Sequence, residues 1–271
     1  MSSETISPTA HYTGHVWARH GLSHPALDTA EGRVLFGLLR PATALSQAVG
    51  GPSLEGYLLA RHAAIDARLK DAIAAGTVAQ VVEIAAGMSP RGWRFTTRDG
   101  GPLTYVEADL PAMAARKRRA LARIGSLGPQ HRVVDLDALR DGGPGSLPAL
   151  AAELDRDQGV AVITEGLTGY LAPADLAGLW RRIAAFLDGF PRGLYISDLH
   201  LGGTPPPEVR VFRLLLSAFV RGGVYLHFAD AAAAQAALRE AGFARAGVVP
   251  ARGPGSGRGE TAHILEASTI T

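Results

Sequence analysis

The chain of 271 residues is 47% hydrophobic and 19% charged, and its formal net charge is +2. These values are typical of a globular protein with one sizeable core; they exclude a disordered chain and give no case for nucleic-acid binding. The absence of cysteine excludes disulfides, thiolate metal sites and a cysteine nucleophile. With no secretory leader and no apolar segment of about 18 residues, we expect a cytoplasmic protein that binds a small molecule and contacts no membrane.

Two helical patterns begin the chain. Residues 12–20, YTGHVWARH, place aromatic and histidine side chains in one short segment. Histidines four positions apart without a partnering acid do not form a metal site, so a helix that packs its aromatics on the domain is the simpler interpretation. Apolar spacing then predicts a second helix within 25–45, which Pro41 should break near its end.

A third helix is predicted from residue 53 to residue 75, with Ser53 as the cap of its first turn. Arg61 and Asp66 lie five positions apart on this helix and therefore on different faces, which argues against a simple surface ion pair. One of them can point toward the ligand turn that follows, although a solvated charge is the commoner role for either.

Residues 79–95, AQVVEIAAGMSPRGWRF, form the centre of the predicted fold. The β-branched residues near the start of this stretch suit a strand buried on both faces of a parallel sheet, and the small residues at 85–87 let the backbone turn tightly. Ligands lie at such turns because the N–H groups are accessible. Glu83 can hold a cationic ligand group or brace the turn. The dinucleotide fingerprint is incomplete, since Ala85 and Pro90 occupy its first and third glycine positions.

A second strand is predicted over 103–108, and Asp109 follows it, 22 positions after Gly87. This spacing matches an acid that accepts hydrogen bonds from a ribose diol. Pro111 then begins a helix with a run of basic residues. These are Arg116, Lys117, Arg118, Arg119 and Arg123. A phosphate-binding patch is one interpretation, but the solvated outer face of a helix is favoured because no aromatic residues are interleaved for stacking.

The next two strands also end in acids. A short strand over 133–136 carries Asp135 and Asp137 at its end, and a buried strand over 159–164 is followed by Glu165. Because parallel strands end at one edge of the sheet, we expect these acids to share a ligand-binding edge with those of the first two strands. The acids of the expected edge are Glu83, Asp109, Asp137 and Glu165.

The remaining pattern predicts an α/β sheet closed by an antiparallel terminal hairpin. The expected elements are a helix from Ser146 to Leu154, a helix over 173–190, a strand over 193–199, a helix over 205–221, an extended piece over 225–228, a helix over 231–241, and hairpin strands over 243–250 and 261–267 around the glycine-rich loop 252–259.

With these elements placed, the sequence resembles the leucine carboxyl methyltransferase superfamily, and more closely its bacterial branch of tetracenomycin-type polyketide O-methyltransferases. The resemblance spans nearly the whole chain. It is carried, in order, by YLLARHAAID at 57–66, VVEIAAGMSPRGWRF at 81–95, YVEADLPAMAARKR at 105–118 and VITEGLTGYL at 162–171. Four motifs with compatible spacing are far more specific than one glycine turn.

The resemblance implies a class I S-adenosylmethionine-dependent methyltransferase with a Rossmann-like, doubly wound sheet and an antiparallel terminal hairpin. It also implies a helical cap or lid over residues 1–75, a core over 76–271 that forms one compact unit with the cap, and an insert after the fifth strand. The cofactor would be S-adenosylmethionine, with S-adenosylhomocysteine as its product, and no metal is expected.

The resemblance assigns cofactor roles residue by residue. Arg61 matches the arginine that binds the carboxylate of the methionine part, a charge-assisted pairing that suits a guanidinium. Glu165 matches the acid that frames this part, and Asp109 matches the acid on the ribose. Gly87 and its neighbours match the turn near the amino group, where Ala85 departs from the more usual glycine.

The adenine end of the cofactor is matched less firmly. Asp137 and Ala138 match the pair that reads adenine through a carboxylate and a backbone N–H, and Asp135 takes the place of Asp137 if the register shifts by two. Glu83, the acid before the turn, completes the expected cofactor set.

The implied reaction is methyl transfer to an oxygen of a small-molecule acceptor in bacterial secondary metabolism, catalysed mainly by alignment of the two partners. A carboxylate needs no base, whereas a phenol benefits from one such as histidine. Tyr12, Trp17, Tyr170 and His200 are the candidates for the acceptor pocket, and His200 is the candidate base. A carboxylate acceptor, which would give a methyl ester, is favoured, and a phenol or another hydroxyl is the alternative; the oligomeric state stays open.

Three alternatives have different sequence requirements. A nicotinamide-dependent oxidoreductase also places an acid after the second strand, but the broken glycine pattern argues against it. A non-enzymatic module would either bind the cofactor or use the fold for protein contacts, and the intact Arg61, Asp109 and Glu165 argue against a loss of cofactor binding. A nucleic-acid methyltransferase would need the basic face of 116–123 to bind phosphates.

Overall fold

The computed structural model describes residues 8–48, 54–98, 103–202, 225–251 and 262–269. Its strands are β1 (Gln80–Ile84), β2 (Thr104–Asp109), β3 (His131–Asp135), β4 (Val160–Thr164), β5 (Gly193–Leu199), β6 (Arg245–Pro250) and β7 (His263–Ser268). They form one sheet in the order β3-β2-β1-β4-β5-β7-β6. Strands β1 to β5 are parallel, whereas β7 is antiparallel to β5 and β6. The order reverses between β1 and β4, the point at which ligands bind in open α/β sheets.

Helices precede and connect the strands. They are α1 (Pro8–Arg19), α2 (Ala30–Ala48), α3 (Leu54–Ala74), α4 (Arg91–Thr97), α5 (Pro111–Ala122), α6 (Leu147–Ala151), α7 (Pro173–Asp188) and α8 (Ala231–Glu240), with short 3-10 turns at Pro25–Leu27 and Thr168–Tyr170. None of the helices that the structure describes is long and apolar enough to cross a bilayer.

Both faces of the sheet are covered, because successive side chains of a strand point to opposite sides. On one face, Val82 and Ile84 of β1 belong to a core that also contains residues of α6, α7 and α8. On the other face, Val81 belongs to a core with Ile65 of α3 and Phe95 of α4. Burial on both sides accounts for the apolar runs in the central strands.

Helix α1 docks on α2, α3 and the turn after β1. Tyr12 is buried in a cluster with Leu58 of α3. Gly14 lies so close to Met88 that a Cβ added at Gly14 would come within 2.9 Å of the Met88 Cβ. The expected helix that packs its aromatic side chains on the domain is confirmed, while the division of the chain at residue 75 stays a prediction.

The prediction that Pro41 breaks its helix is wrong, since α2 continues to Ala48. A proline removes one N–H donor and crowds the carbonyl four residues earlier. Here that carbonyl belongs to Gly37, and both Gly37 and Pro41 are exposed, so water can satisfy the carbonyl that loses its donor. The helix that Ser146 caps also ends before its predicted limit, at Ala151.

The other predicted elements within the described residues are confirmed to within a few residues, including the terminal hairpin. The predictions for Ser53 as a cap, the helix over 205–221, the insert after β5 and the loop 252–259 lie outside the described residues.

Candidate functional site

The turn after β1 has a backbone conformation that L-residues rarely adopt. Ala85 has a φ of +54° and Gly87 a φ of +50°. The Gly87 N–H donates to Asp109 Oδ2 at 2.7 Å, and the Leu110 N–H donates to Asp109 Oδ1 at 2.8 Å. The structure therefore brings the predicted turn and the predicted ribose acid into direct contact.

Asp109 keeps acceptor capacity for a ligand. Burial raises its pKa despite the N–H donors of Gly87 and Leu110, which act in the opposite direction. Each carboxylate oxygen accepts only one of these hydrogen bonds, so a second lone pair on each oxygen is available to hydroxyl groups.

Arg61 lies inside the same edge of the sheet and is held by two carboxylates. Its Nε donates to Glu165 Oε1 at 3.0 Å and its Nη1 donates to Asp198 Oδ2 at 3.1 Å. Asp198 also accepts from the Gly166 N–H at 2.7 Å. The third nitrogen, Nη2, has no hydrogen-bond partner among the residues that the structure describes. The guanidinium is thus fixed in orientation with one nitrogen left for a ligand.

Gly166 makes room for this arrangement. It adopts a φ of +68°, and a Cβ added to it would lie 3.2 Å from Arg61 Nη2. A side chain at this position would fill the space beside the open nitrogen, so glycine here is a steric as well as a conformational requirement.

Arg91, which sequence reasoning missed, is fully buried at the centre of a larger ionic cluster. Its Nε donates to Asp66 Oδ1 at 2.6 Å, its Nη1 to a Glu83 oxygen and its Nη2 to Glu165 Oε2 at 2.6 Å. Burial alone would lower the pKa of Arg91, but the three carboxylates raise it well above its usual range. One guanidinium therefore ties together α3, α4, β1 and the segment after β4.

The Arg91 cluster is defined by the charged groups connected in this way. Its members are Arg61, His62, Asp66, Glu83, Arg91, Arg94, Glu165 and Asp198. Burial would raise the pKa of Glu165, yet His62, Arg91 and Arg61 hold it well below its usual range. Burial would likewise raise the pKa of Asp66, but His62, Arg91 and Arg94 lower it.

Glu83 lies within the Arg91 cluster. Besides Arg91, it accepts a hydrogen bond from the Tyr105 hydroxyl at 2.7 Å. The carboxylate thereby links β1 to β2 and to α4, two residues before the turn begins at Ala85.

A second buried cluster lies next to the first and consists of Glu107, Lys117 and His131. Lys117 Nζ forms an ion pair with Glu107 Oε2, and His131 Nε2 lies 2.9 Å from Glu107 Oε1. Burial would raise the pKa of Glu107, but Lys117 and His131 lower it. We call this group the Lys117 cluster.

The prediction of a solvated basic face on α5 is therefore wrong for Lys117, which is 1% exposed. The position of Lys117 on the helix turns its side chain inward to the buried Glu107. Its neighbours Arg116 and Arg118 are partly exposed and pair with Glu31 and Asp135 at 2.7 and 2.8 Å.

The residues predicted at the adenine lie at the end of β3. Asp137 Oδ1 accepts from the Leu139 N–H at 3.0 Å, and Ala138 is buried. Asp135 is exposed and its carboxylate pairs with Arg118. The two candidate carboxylates thus differ in surroundings, because among the residues that the structure describes only Asp135 forms an ion pair with a cation.

The acceptor-pocket candidates separate into different places. The Trp17 ring lies 4.8 Å from the His62 ring, against the Arg91 cluster. His200 Nε2 lies 2.7 Å from the Tyr57 hydroxyl, and the Tyr57 ring lies 5.8 Å from the Arg61 guanidinium carbon. Tyr170 is half-buried in the turn after β4. Tyr12 instead belongs to the hydrophobic cluster beneath α1.

Asp198, Arg91 and Tyr57 were absent from the residues predicted for the site. Asp198 lies in β5, inside the segment SDLH that the sequence places at a strand end, and that position was an available signal. Arg91 and Tyr57 fall within the quoted motifs, but spacing alone does not indicate which buried partners they meet.

Comparison with known proteins adds evidence from sequence. Residues 25–184 match the model of the family described as leucine carboxyl methyltransferase. The chain is 37% identical over 125 residues to a protein of Mycolicibacterium gilvum provisionally named an S-adenosyl-L-methionine-dependent methyltransferase, covering 46% of this chain and 39% of that protein. A protein of the same name from Mycolicibacterium paratuberculosis is 38% identical over 137 residues, covering 50% and 42%. The match thus spans about two fifths of these relatives' length.

Solved structures share the fold at low identity. A structure from Thermobifida fusca, provisionally named a methyltransferase, covers 100% of this chain and 97% of its own, with a TM-score of 0.63 and 12% identity. Magnesium protoporphyrin IX methyltransferase from Synechocystis, with bound S-adenosylhomocysteine, covers 80% and 86%, with a TM-score of 0.53 and 16% identity. These likenesses confirm the predicted class I methyltransferase fold.

Proposed function

The chain belongs to the leucine carboxyl methyltransferase family, and from this premise we propose that it transfers the methyl group of S-adenosylmethionine to an oxygen of a small-molecule acceptor. A carboxylate acceptor, which gives a methyl ester, is favoured. By its resemblance to polyketide O-methyltransferases, we assign the acceptor to bacterial secondary metabolism.

The observation that carries the proposal is the setting of Arg61. Two buried carboxylates orient its guanidinium, and its Nη2 has no partner among the described residues, at the edge of the sheet where strand order reverses. A fixed guanidinium with a free N–H is suited to the carboxylate of the methionine part of the cofactor. Asp109, beside the Gly87 turn, is suited to the ribose hydroxyls, and Asp137 with Ala138 to the adenine.

S-adenosylmethionine, when bound, supplies a methyl group on a cationic sulfonium. The carboxylates of the Arg91 cluster lie at the sheet edge to which we assign this ligand, and the arginines of the cluster hold them in place there.

The chain's contribution to the reaction is mainly alignment. Its residues would bind the cofactor at the strand ends, exclude water beneath α1 and hold the acceptor oxygen in line with the methyl group. A carboxylate acceptor is already ionised near neutral pH and needs no proton transfer. Trp17, Tyr170 and His200 are the candidates for contacts with the acceptor, and Tyr12 supports them from within the hydrophobic cluster under α1.

A second candidate, methylation of a phenol or another hydroxyl, is favoured by one observation. His200 Nε2 and the Tyr57 hydroxyl lie 2.7 Å apart. A histidine oriented by such a contact is suited to accept a proton from a hydroxyl acceptor.

Two measurements test the proposal. Calorimetry of the wild-type chain should detect S-adenosylmethionine and S-adenosylhomocysteine, whereas NAD should give no heat; binding of NAD alone would support an oxidoreductase. Methyl-labelled cofactor should then label carboxylic acids from a panel of acids and phenols. Label released by mild alkali identifies an ester, and alkali-stable label moves the reaction to a hydroxyl acceptor.

A further inference from the structure

The turn after β1 holds an L-residue in an unfavourable conformation. Ala85 is the one non-glycine residue with a positive φ among those that the structure describes. A left-handed conformation is unfavourable for an alanine because its Cβ comes too close to the backbone, so neighbouring contacts must hold the turn in place. The Gly87 N–H is held by Asp109 and the Ala86 N–H by the Ala108 carbonyl at 3.2 Å.

A carbonyl group of the turn is held by Lys117. Its Nζ donates to the Ala86 carbonyl oxygen at 3.4 Å, and that oxygen also accepts from the Ser89 N–H at 2.9 Å. Lys117 thus contacts the residue between the two with positive φ. It reaches this carbonyl from α5, across the buried end of β2.

Glu107 and His131 fix the lysine in this position. The Glu107 carboxylate forms an ion pair with Lys117 and contacts His131 Nε2. Within the described residues, His131 Nδ1 is buried without a partner. Because the Glu107 carboxylate is an acceptor, His131 donates to it from Nε2 and helps to hold it beside the lysine.

Helix α4 closes the space above this cluster. A Cβ added to Gly92 would come within 2.7 Å of His131 Nε2 and would also overlap Glu107 Oε1. The carboxylate therefore has no room to move away from the lysine in that direction.

We propose that Lys117 is a positioning residue for the cofactor turn: held by Glu107, its ammonium fixes the Ala86 carbonyl and thereby the orientation of Ala85 and Gly87 beside Asp109. The inference rests on the proposed function, which assigns the turn to S-adenosylmethionine. A buried ion pair is often replaceable by neutral residues without loss of stability. The ion pair with Glu107 does not touch the turn, whereas the hydrogen bond to the Ala86 carbonyl does, so ligand binding depends on that donor.

The test compares Glu107→Gln with Glu107→Gln/Lys117→Met in the full chain. The glutamine oxygen can still accept from Lys117 and keep it in place. Both variants lack the buried carboxylate charge, and methionine matches the lysine stem, so the two variants differ mainly in the donor to Ala86. We expect the double variant to bind S-adenosylhomocysteine at least tenfold more weakly than Glu107→Gln by calorimetry. Equal affinities in two folded variants would overturn the proposal.

Ala85→Gly gives a readout that a purely structural role would not move. Glycine adopts a positive φ without strain, so the turn then depends less on Lys117. In the Ala85→Gly background, we expect Lys117→Met, again with Glu107→Gln, to weaken ligand binding by less than threefold. Additive effects of positions 85 and 117 would contradict the proposal.

Melting temperatures of the same variants separate this inference from the proposed function. If the wild-type chain does not bind S-adenosylhomocysteine, the proposed function fails. The contact with the turn is then still judged by whether Ala85→Gly reduces the loss of melting temperature caused by Lys117→Met. If Ala85→Gly does not reduce this loss, the positioning role of Lys117 is overturned.

Discussion

Glu83 and Glu107 are partners in the register of β1 and β2, and their side chains point to the same face of the sheet. Both are buried, and each is neutralised by its own cation. Two buried like charges on adjacent strands repel each other, so each glutamate needs this partner.

The two clusters meet this need with different chemistry. Arg91 uses its planar set of donors to hold Asp66, Glu83 and Glu165 at once. Lys117, a compact charge, forms an ion pair with Glu107 and donates to one backbone carbonyl. The arginine therefore organises several elements, whereas the lysine fixes one turn.

The largest effect should come from removing the arginine. Arg91→Met leaves three buried carboxylates without their shared cation, and breaking a buried pair costs about 3–5 kcal/mol. We expect urea denaturation to show at least this loss in the free energy of unfolding. Arg132→Met is the matched control, because Arg132 pairs with the exposed Glu153 and should cost no more than about 1 kcal/mol. Equal losses of unfolding free energy in Arg91→Met and Arg132→Met would contradict the expectation that the buried ion pairs of Arg91 stabilise the fold more than the exposed pair of Arg132.

The lysine should be replaceable once its partner is neutral. Lys117→Met alone leaves the buried Glu107 carboxylate with His131 but without its lysine partner and should cost about 3 kcal/mol. Adding Glu107→Gln should recover most of this stability, as measured by the same denaturation. If the double variant does not recover the lost stability, the ion pair between Lys117 and Glu107 itself stabilises the fold, as the ion pairs of Arg91 do.

Sequence reasoning located the sheet edge but not these clusters. Periodicity predicted the strands and the terminal hairpin, and the strand-end acids predicted a ligand-binding edge that includes Asp109. The hydrogen bond from the Gly87 N–H to Asp109 was not predicted. Arg91 and Lys117 were not predicted as buried, because a charged residue on a helix is usually solvated and only the tertiary packing reveals its partner. Likewise, the placement of Tyr12 away from the Arg91 cluster depends on how α1 docks.

Acid should weaken both clusters. The folded-state pKa values of Asp66, Glu107 and Glu165 are all lowered. Carboxylates with lowered pKa values contribute stability above their unfolded-state values, about 4, and lose it as the pH falls through the folded values. Burial raises the pKa of Asp109, so this group favours the folded state at low pH. The three carboxylates with lowered pKa values outnumber it.

We therefore expect the melting temperature to be nearly constant from neutral pH to about pH 5 and to fall at lower pH. A thermal scan across this range checks the expectation. A melting temperature that rises on acidification would contradict the assigned directions.

The smallest effect concerns the turn itself. Ala85→Gly removes the strain of a positive φ, about 1–2 kcal/mol, but makes the unfolded chain more flexible at a cost of about 0.4–1 kcal/mol. We expect a net gain of stability of roughly 0.5–1 kcal/mol. Ala86→Gly, at the next residue, is the control and should be destabilising, since Ala86 has no positive φ to relieve.

The central claim is that Arg61 binds the cofactor carboxylate while Glu165 and Asp198 hold it in place. Arg61→Lys keeps a cation beside both carboxylates but removes the open Nη2. Calorimetry with S-adenosylhomocysteine should show an affinity about 10- to 100-fold weaker than that of the wild-type chain, the effect of losing a charge-assisted hydrogen bond worth about 1.5–3 kcal/mol. Unchanged affinity in a folded Arg61→Lys variant would contradict the account.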